Sequence, residues 1–178
     1  MQDTKELLKF TIPQLLRWRV NETGDKVALR EKDFGYWNNY TWNDFYDRVR
    51  EIALGLDKLD IKKDDKLALI GDNIPELLFV AIGAQSIGAV SAGIYQTSLP
   101  DEIAELINYM DVTAVFCDDQ EQVDKILSIW EGIKERVEKV IVWDSRGMSH
   151  YYEEYPFLER AGYNHRETCP TNKPTVLA

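Results

Sequence analysis

The sequence predicts an α/β fold in which helices cover both faces of a doubly wound, mostly parallel sheet. Four short apolar runs predict the strands of this sheet: Lys66–Ile70, Val90–Ile94, Thr113–Cys117 and Lys139–Trp143. They start 24, 23 and 26 residues apart, and each gap holds a helical pattern. Strand–helix–strand units of this period build parallel sheets with right-handed crossovers. Continuous apolar runs are typical of strands that helices bury on both faces.

A helix and a hairpin are predicted before this alternating region. Thr11 and Gln14 have the spacing of a capping box, and Pro13 suits the first turn of the helix that follows. Two β-like runs come next, Val27–Glu31 and Trp37–Trp42, and the turn residues between them predict a β-hairpin.

Apolar spacing predicts four helices in the rest of the chain. Thr41 and Asp44 repeat the capping spacing before an amphipathic helix. Its apolar face recurs at steps of four and three residues: Phe45, Val49, Ile52, Leu56 and Leu59. The stretch from Pro75 to about Ile87 is apolar nearly all round, which predicts a buried helix. Two further apolar faces start at Ile103 and Val123 and predict the remaining helices.

The pattern weakens after the last apolar run. Tyr151–Ala161 predicts a short helix, Asn164–Pro174 a loop, and Thr175–Ala178 the start of a further strand. Because an apolar strand start makes a poor natural C-terminus, we expect the 178 residues to be one partial domain cut from a longer protein. This partial domain has three parts: the leading helix and hairpin at 11–42, a βαβ core at 43–143, and a tail at 144–178.

Composition and charge exclude several classes of protein. The chain is 44% hydrophobic and 29% charged, which is typical of a globular protein and argues against disorder. A formal charge of −10 repels phosphate backbones, so we expect no nucleic-acid partner. The chain opens without a signal peptide, no apolar stretch reaches the roughly 18 residues of a membrane span, and its two cysteines form no CxxC pair. We therefore expect a reduced, cytoplasmic protein without a transmembrane segment.

The sequence carries none of the common catalytic signatures. The patterns GxGxxG, GxxxxGK[ST], HExxH and GxSxG are all absent, as is the EF-hand loop. His150 and His165 stand without a cluster of ligands at metal spacing and are predicted to be surface residues. We therefore assign no catalytic, cofactor-binding or metal-binding residue.

One crevice is the candidate ligand site. Ligands of open α/β sheets collect at the carboxyl ends of the strands. The polar residues that follow the first two parallel strands are Asp72, Asn73, Tyr95, Gln96, Thr97 and Ser98. Helix capping is a competing explanation, because Asn73 fits the N-cap of the next helix and Ser98 has capping spacing with Asp101. The acidic pair Asp118 and Asp119 is explained by a turn or a helix N-terminus at the end of an element.

Several segments occur in a characteristic order over residues 11–143. They are Thr11–Leu16, Asp25–Leu29, Tyr40–Trp42, Asp65–Asn73, Pro75–Glu76, Ala81–Val90, Ile94–Ile103 and Ala114–Asp119. In this order and spacing they resemble the opening of an AMP-forming acyl-CoA synthetase of the adenylate-forming ligase superfamily. The Tyr-x-Thr-Ser segment at Tyr95–Ser98 is most similar to the long-chain fatty acyl branch of that family.

The resemblance implies that the chain is the first part of the large N-terminal domain of the ligase fold. The parent enzyme would join a fatty, long-chain carboxylate to ATP with Mg²⁺, forming an acyl-adenylate and pyrophosphate, and coenzyme A would then displace AMP. Thr175–Ala178 would be the strand before a Ser/Thr/Gly-rich phosphate loop, with the catalytic parts downstream. We therefore expect this chain alone to be an inactive scaffold without a cofactor, and to associate through apolar surface that a longer protein covers.

Two other interpretations stay open. A free-standing α/β ligand-binding module explains the βαβ rhythm, but not the hairpin, the leading helix or the terminal half-strand. An interaction protein derived from a ligase would use its acidic second half as a partner surface. A stop codon after Ala178 favours these interpretations, whereas a Ser/Thr/Gly-rich loop favours the ligase. A homodimer through the first helix and membrane association of the parent enzyme are open as well.

Overall fold

The structure is a computed structural model that describes residues 4–33 and 35–161. The helices in these ranges are α1 (Thr4–Leu7), α2 (Ile12–Thr23), α3 (Trp42–Lys58), α4 (Pro75–Ser86), α5 (Pro100–Met110), α6 (Gln120–Ser128), α7 (Trp130–Ile133) and α8 (Tyr151–Glu154). The strands are β1 (Val27–Asp33), β2 (Tyr36–Thr41), β3 (Lys66–Gly71), β4 (Val90–Tyr95), β5 (Ala114–Cys117), β6 (Lys139–Val142) and β7 (Leu158–Arg160). The predicted leading helix, hairpin and four core strands are all present.

Five of the strands form one parallel sheet in the order β4–β3–β5–β6–β7. The first crossover leads from β3 to β4 on one side, and the next returns past β3 to β5 on the other side. The direction of winding therefore reverses at β3, which makes the sheet doubly wound. β1 and β2 pair antiparallel as a separate hairpin. The predicted fold class is confirmed.

Alternate residues of the central strands pack on opposite faces of the sheet. Leu67 and Leu69 of β3 lie on the face covered by α3 and α4, together with Phe116 of β5. Ala68 and Ile70 lie on the other face, which α5 and α6 cover. Because each central position of β3 packs against a helix on one face or the other, this part of the strand is apolar throughout. This is the reason for the continuous apolar runs in the sequence.

Helix α4 lies between the sheet and a layer formed by α2, α3 and the hairpin. Val80 and Ala84 pack towards the sheet, whereas Phe79 and Ile82 pack into the outer cluster with Phe45 of α3. This position explains why the helix is apolar nearly all round. It is nevertheless only 12 residues long, and no helix in the described part of the chain has the length and apolar character needed to cross a membrane.

The first two predicted helix caps are present. The Thr41 Oγ1 accepts a hydrogen bond from the Asp44 N–H at 3.1 Å, and the Asp44 carboxylate accepts one from the Thr41 N–H at 2.8 Å. At the start of α2, the side-chain carbonyl of Gln14 accepts a hydrogen bond from the Thr11 N–H at 2.8 Å. Each helix therefore begins where the capping spacing predicts it.

The tail differs from the prediction of one short helix over Tyr151–Ala161. Helix α8 covers only the first turn, and β7 extends the sheet beside β6, with Leu158 opposite Val140. The Phe157 ring stacks on the Trp130 ring with a centroid separation of 3.6 Å. These partners are distant in sequence, and three residues are too few to show a strand period. The predicted loop and terminal strand start, at 164–178, lie outside the described residues.

Candidate ligand crevice

The candidate crevice lies at the carboxyl ends of β3 and β5, where the direction of winding reverses. Open α/β sheets bind ligands at such switch points. Asp72 follows β3, and Asp118 follows β5. The residues that were predicted to join Asp72 follow β4, the other neighbour of β3 in the sheet. Asp118 thus lies beside Asp72, although the sequence indicated only a turn or a helix N-terminus there.

The Asp118 side chain fills the space between the two strand ends. Its carboxylate accepts a hydrogen bond from the Asp72 N–H at 3.2 Å, and its backbone N–H donates to the Ile70 carbonyl at 2.9 Å. A Cβ atom at Gly71 would lie 2.4 Å from the Asp118 Cβ. Gly71 is therefore required for the close approach of β3 and β5, and Asp118 closes the crevice between them.

The charge at this position is negative. Burial raises the pKa of the Asp118 carboxyl, the neighbouring carboxylates of Asp119, Asp72 and Asp144 raise it further, and the hydrogen bond from the Asp72 N–H opposes the shift. Asp119 itself caps α6 as predicted, because its carboxylate accepts a hydrogen bond from the Gln122 N–H at 3.2 Å. The crevice therefore repels anions.

Two of the predicted crevice residues meet. The Gln96 side-chain amide donates a hydrogen bond to the Asp72 carboxylate, and the Gln96 backbone carbonyl accepts one from the Lys125 ammonium. Lys125 also donates to the Gln122 side-chain carbonyl at 3.2 Å and pairs with Glu121 at 3.0 Å. Its side chain is only 19% exposed. The one lysine beside the described crevice residues is therefore already surrounded by acceptors of the same chain.

The other four predicted residues do not join this group. Within the described residues, no hydrogen bond connects the side chains of Asn73, Tyr95, Thr97 or Ser98 to the Asp72–Gln96 pair. Tyr95 is 85% exposed, and its carbonyl accepts a hydrogen bond from the Ser98 N–H at 3.0 Å in the turn before α5. Tyr95 and Ser98 thus belong to the turn between β4 and α5.

The predicted caps at Asn73 and Ser98 are wrong by one residue. Ile74 and Leu99 occupy the N-cap positions of α4 and α5, in extended conformation. Each precedes a proline, and the proline ring disfavours helical backbone angles at the residue before it. At α5 the Glu102 carboxylate accepts a hydrogen bond from the Leu99 N–H at 3.0 Å.

Glu76, in the first turn of α4, is a titratable group that the sequence analysis missed. Burial raises its pKa to about 7, Glu31 and Asp118 raise it as well, and Arg48 and a hydrogen bond to its own backbone oppose the shift. The Tyr40 hydroxyl donates to Glu31 at 3.1 Å. Glu76 therefore exchanges its proton near neutral pH. No local signal in the sequence indicates this, because the shift arises from tertiary burial.

The residues at this edge of the sheet do not fit a triphosphate. A triphosphate needs hydrogen-bond donors and positive charge. This edge of the sheet instead presents the carboxyl groups of Asp72, Asp118 and Asp144. Its lysine, Lys125, already donates to the Gln96 carbonyl. No three His, Cys, Asp or Glu side chains within residues 4–33 and 35–161 are arranged to hold a metal ion.

The sequence of the chain is similar to those of known ligases. A sequence model of the family described as "AMP-binding enzyme" matches residues 16–177. The human long-chain-fatty-acid–CoA ligase ACSBG1 is 28% identical over 155 residues, which are 85% of this chain and 21% of that protein. Human ACSBG2, of the same description, is 30% identical over 132 residues, or 74% of this chain and 20% of that protein. The chain thus spans about a fifth of the length of these curated relatives.

Solved structures of ligases share the fold. Coronafacic acid ligase from Pectobacterium brasiliense has a TM-score of 0.71 at 19% identity, covering 85% of this chain and 28% of that chain. The anthranilate CoA ligase AuaEII, solved with anthranoyl-AMP, has a TM-score of 0.68 at 18% identity, covering 75% of this chain and 25% of that chain. The family match extends over nearly all of the sequence. The chain therefore belongs to the family of AMP-binding enzymes.

Proposed function

We propose that this chain is the N-terminal portion of an AMP-forming ligase that joins a long-chain fatty acid to coenzyme A. The observation that carries the proposal is the family match over residues 16–177, together with relatives named long-chain-fatty-acid–CoA ligases. The order of segments along residues 11–143 supports the same assignment. The full-length enzyme would use ATP, Mg²⁺ and coenzyme A.

The role proposed for these residues is that of a scaffold. Asp118 closes the crevice between β3 and β5, and Lys125 is held by Gln96 and its neighbours. The catalytic groups and the sites for ATP and coenzyme A would then come from the rest of the enzyme. By this proposal the chain alone forms no acyl-adenylate.

Exchange of labelled pyrophosphate into ATP tests the scaffold role. The purified 178-residue chain, incubated with a long-chain fatty acid, ATP and Mg²⁺, is expected to give no exchange above the protein-free blank. Human ACSBG1, assayed in parallel, controls for the assay conditions. Exchange that follows the concentration of the pure chain would show that the catalytic groups lie within it.

A chimera tests the assignment to a ligase. Residues 11–143 of this chain would replace the corresponding segment of human ACSBG2, and the product would be assayed for long-chain acyl-CoA formation. We expect activity, and we expect Gly71→Ala to lower the thermal stability of the active chimera, because it disturbs the contact between β3 and β5. A chimera that folds with the stability of ACSBG2 but makes no acyl-CoA would refute the assignment.

A further inference from the structure

A cluster of four half-buried polar side chains lies where the hairpin meets α3 and α4. Its members come from four elements: Glu31 of β1, Tyr40 of β2, Arg48 of α3 and Glu76 of α4. The Tyr40 hydroxyl donates a hydrogen bond to the Glu31 carboxylate at 3.1 Å. Burial raises the pKa of this hydroxyl, the carboxylates of Glu76 and Glu31 raise it further, and Arg48 opposes the shift. Tyr40 therefore stays protonated, and we call these four residues the junction cluster.

Packing places the hairpin over the side of α4 that carries Glu76. The Tyr40 ring contacts the Phe79 ring edge to face, with the ring centroids 5.7 Å apart. Phe79 follows Glu76 by three residues in α4, and residues with this spacing lie on the same side of a helix. A displacement of the hairpin from α4 would therefore uncover Glu76 and bring its carboxyl group into contact with water.

The hairpin is attached at its base independently of this contact. The Trp42 N–H donates a hydrogen bond to the Lys26 carbonyl at 3.0 Å, and the Asn43 N–H donates one to the Gly24 carbonyl at 3.0 Å. These bonds join backbone groups and involve no side chain of the junction cluster. The hairpin can therefore loosen from α4 while its base stays in place.

The charges at the junction cluster do not balance when Glu76 is ionised. Arg48 acts on Glu76, but it also pairs with Glu51 of α3 at 3.5 Å. Glu31 and Asp118, which lies at the crevice, both add negative charge. Burial and these two carboxylates raise the pKa of Glu76 to about 7, against the opposing effects of a hydrogen bond to its own backbone and of Arg48. The closed hairpin thus favours the neutral carboxyl group, whereas water favours the carboxylate.

We propose that the junction cluster is a pH-sensitive switch, in which the hairpin closes on α4 while Glu76 is protonated and loosens when Glu76 ionises. Ionisation releases the proton to solvent, exposes the carboxylate to water and separates it from Glu31. The contact between the Tyr40 and Phe79 rings is lost in the same step. Because the closed state holds the proton more tightly, its stability is full below pH 4.5 and falls as the pH rises to about 7.

Hydrogen exchange of the 178-residue chain at pH 5 and pH 7 tests the switch, after correction for the intrinsic pH dependence of amide exchange. One released proton changes the opening equilibrium by up to about tenfold per pH unit. A two-stranded hairpin is marginally stable by itself, so its amides lose protection when it leaves α4. We therefore expect exchange along β2 to accelerate by about tenfold or more between the two pH values.

Low concentrations of urea distinguish this local opening from global unfolding. Global unfolding exposes the whole core and responds strongly to urea, whereas loosening of the hairpin exposes little surface. At pH 7, exchange along β2 is expected to be nearly independent of urea and faster than exchange along β5, which is buried at every position. Equal rates and an equal urea dependence in the two strands would overturn the proposal.

Two variants test whether Glu76 is the group that titrates. Glu76→Gln keeps the size of the side chain but cannot ionise, so exchange along β2 is expected to stay slow at both pH values. Glu105→Gln is the matched control, because it makes the same substitution at an exposed position of α5, and it is expected to accelerate like the parent. Acceleration in Glu76→Gln equal to that of the parent would overturn the proposal. So would a parent chain in which exchange along β2 does not change with pH, a result that needs no variant.

Discussion

Replacing Gly71 by alanine is expected to destabilise the sheet at the switch point. The added methyl carbon would lie 2.4 Å from the Asp118 Cβ, far inside van der Waals contact. Neither atom can rotate away, since a Cβ is fixed by its own backbone. The ends of β3 and β5 must therefore separate, and the hydrogen bond from the Asp72 N–H to the Asp118 carboxylate is disturbed.

The expected loss of unfolding free energy is about 1–3 kcal/mol, the usual effect of overpacking a core. In a domain of this size each kcal/mol lowers Tm by roughly 2–4 °C, so we expect Tm to fall by about 2–12 °C. Gly132→Ala is the matched control, because its methyl group meets no atom within 4 Å. Alanine is favoured over glycine within helices by roughly 0.5–1 kcal/mol, so this variant is expected to be as stable as the parent or slightly more so.

Thermal and urea unfolding followed by circular dichroism measure both variants. Asp118→Gly removes the opposing Cβ atom, so the double variant Gly71→Ala/Asp118→Gly is expected to be more stable than the two single effects predict together. A coupling free energy of at least ~0.5 kcal/mol separates this outcome from simple additivity. Equal stabilities for Gly71→Ala and Gly132→Ala, or strictly additive effects in the double variant, would refute the steric reasoning.

Two further predictions concern a helix cap and a buried acid. Thr41→Ala is expected to lower stability by about 1 kcal/mol in urea unfolding, because it removes the hydroxyl that accepts the Asp44 N–H. Thr11→Ala should lower it less, since Gln14 binds the backbone N–H that alanine retains; equal losses would contradict this account. The pKa of Glu76 is raised from 4.5 to about 7 in the folded state, so the folded protein binds more protons between those values and stability falls as pH rises through them. Glu76→Gln should therefore be more stable than the parent near pH 8 and similar to it below pH 4.5; an unchanged difference across this range would count against the shift.

Much of the fold can be predicted because its local patterns and its packing agree. β3 is apolar at each central position since it contacts helices on both faces, and α4 is apolar nearly all round since it lies between two layers. Thr41 caps α3 where the spacing indicates. The caps predicted at Asn73 and Ser98 are wrong for a local reason. The next residue in each case precedes a proline, which favours an extended backbone at that residue, so the N-cap lies there instead. The prediction missed β7 for a tertiary reason, since the hydrogen-bond partners of this strand come from β6.

The sequence alone determines the type and order of the main elements, the parallel character of the sheet and the family to which the chain belongs. The order of strands within the sheet was decided only in three dimensions. The first two crossovers are of nearly equal length, 24 and 23 residues from strand start to strand start. The right-handedness of a crossover does not determine on which side of β3 the next strand will lie. The tertiary structure therefore decides that Asp118, rather than Tyr95, meets Asp72 at the switch point. It also decides which strands lie side by side, because hydrogen bonding between strands depends on partners that no local pattern identifies.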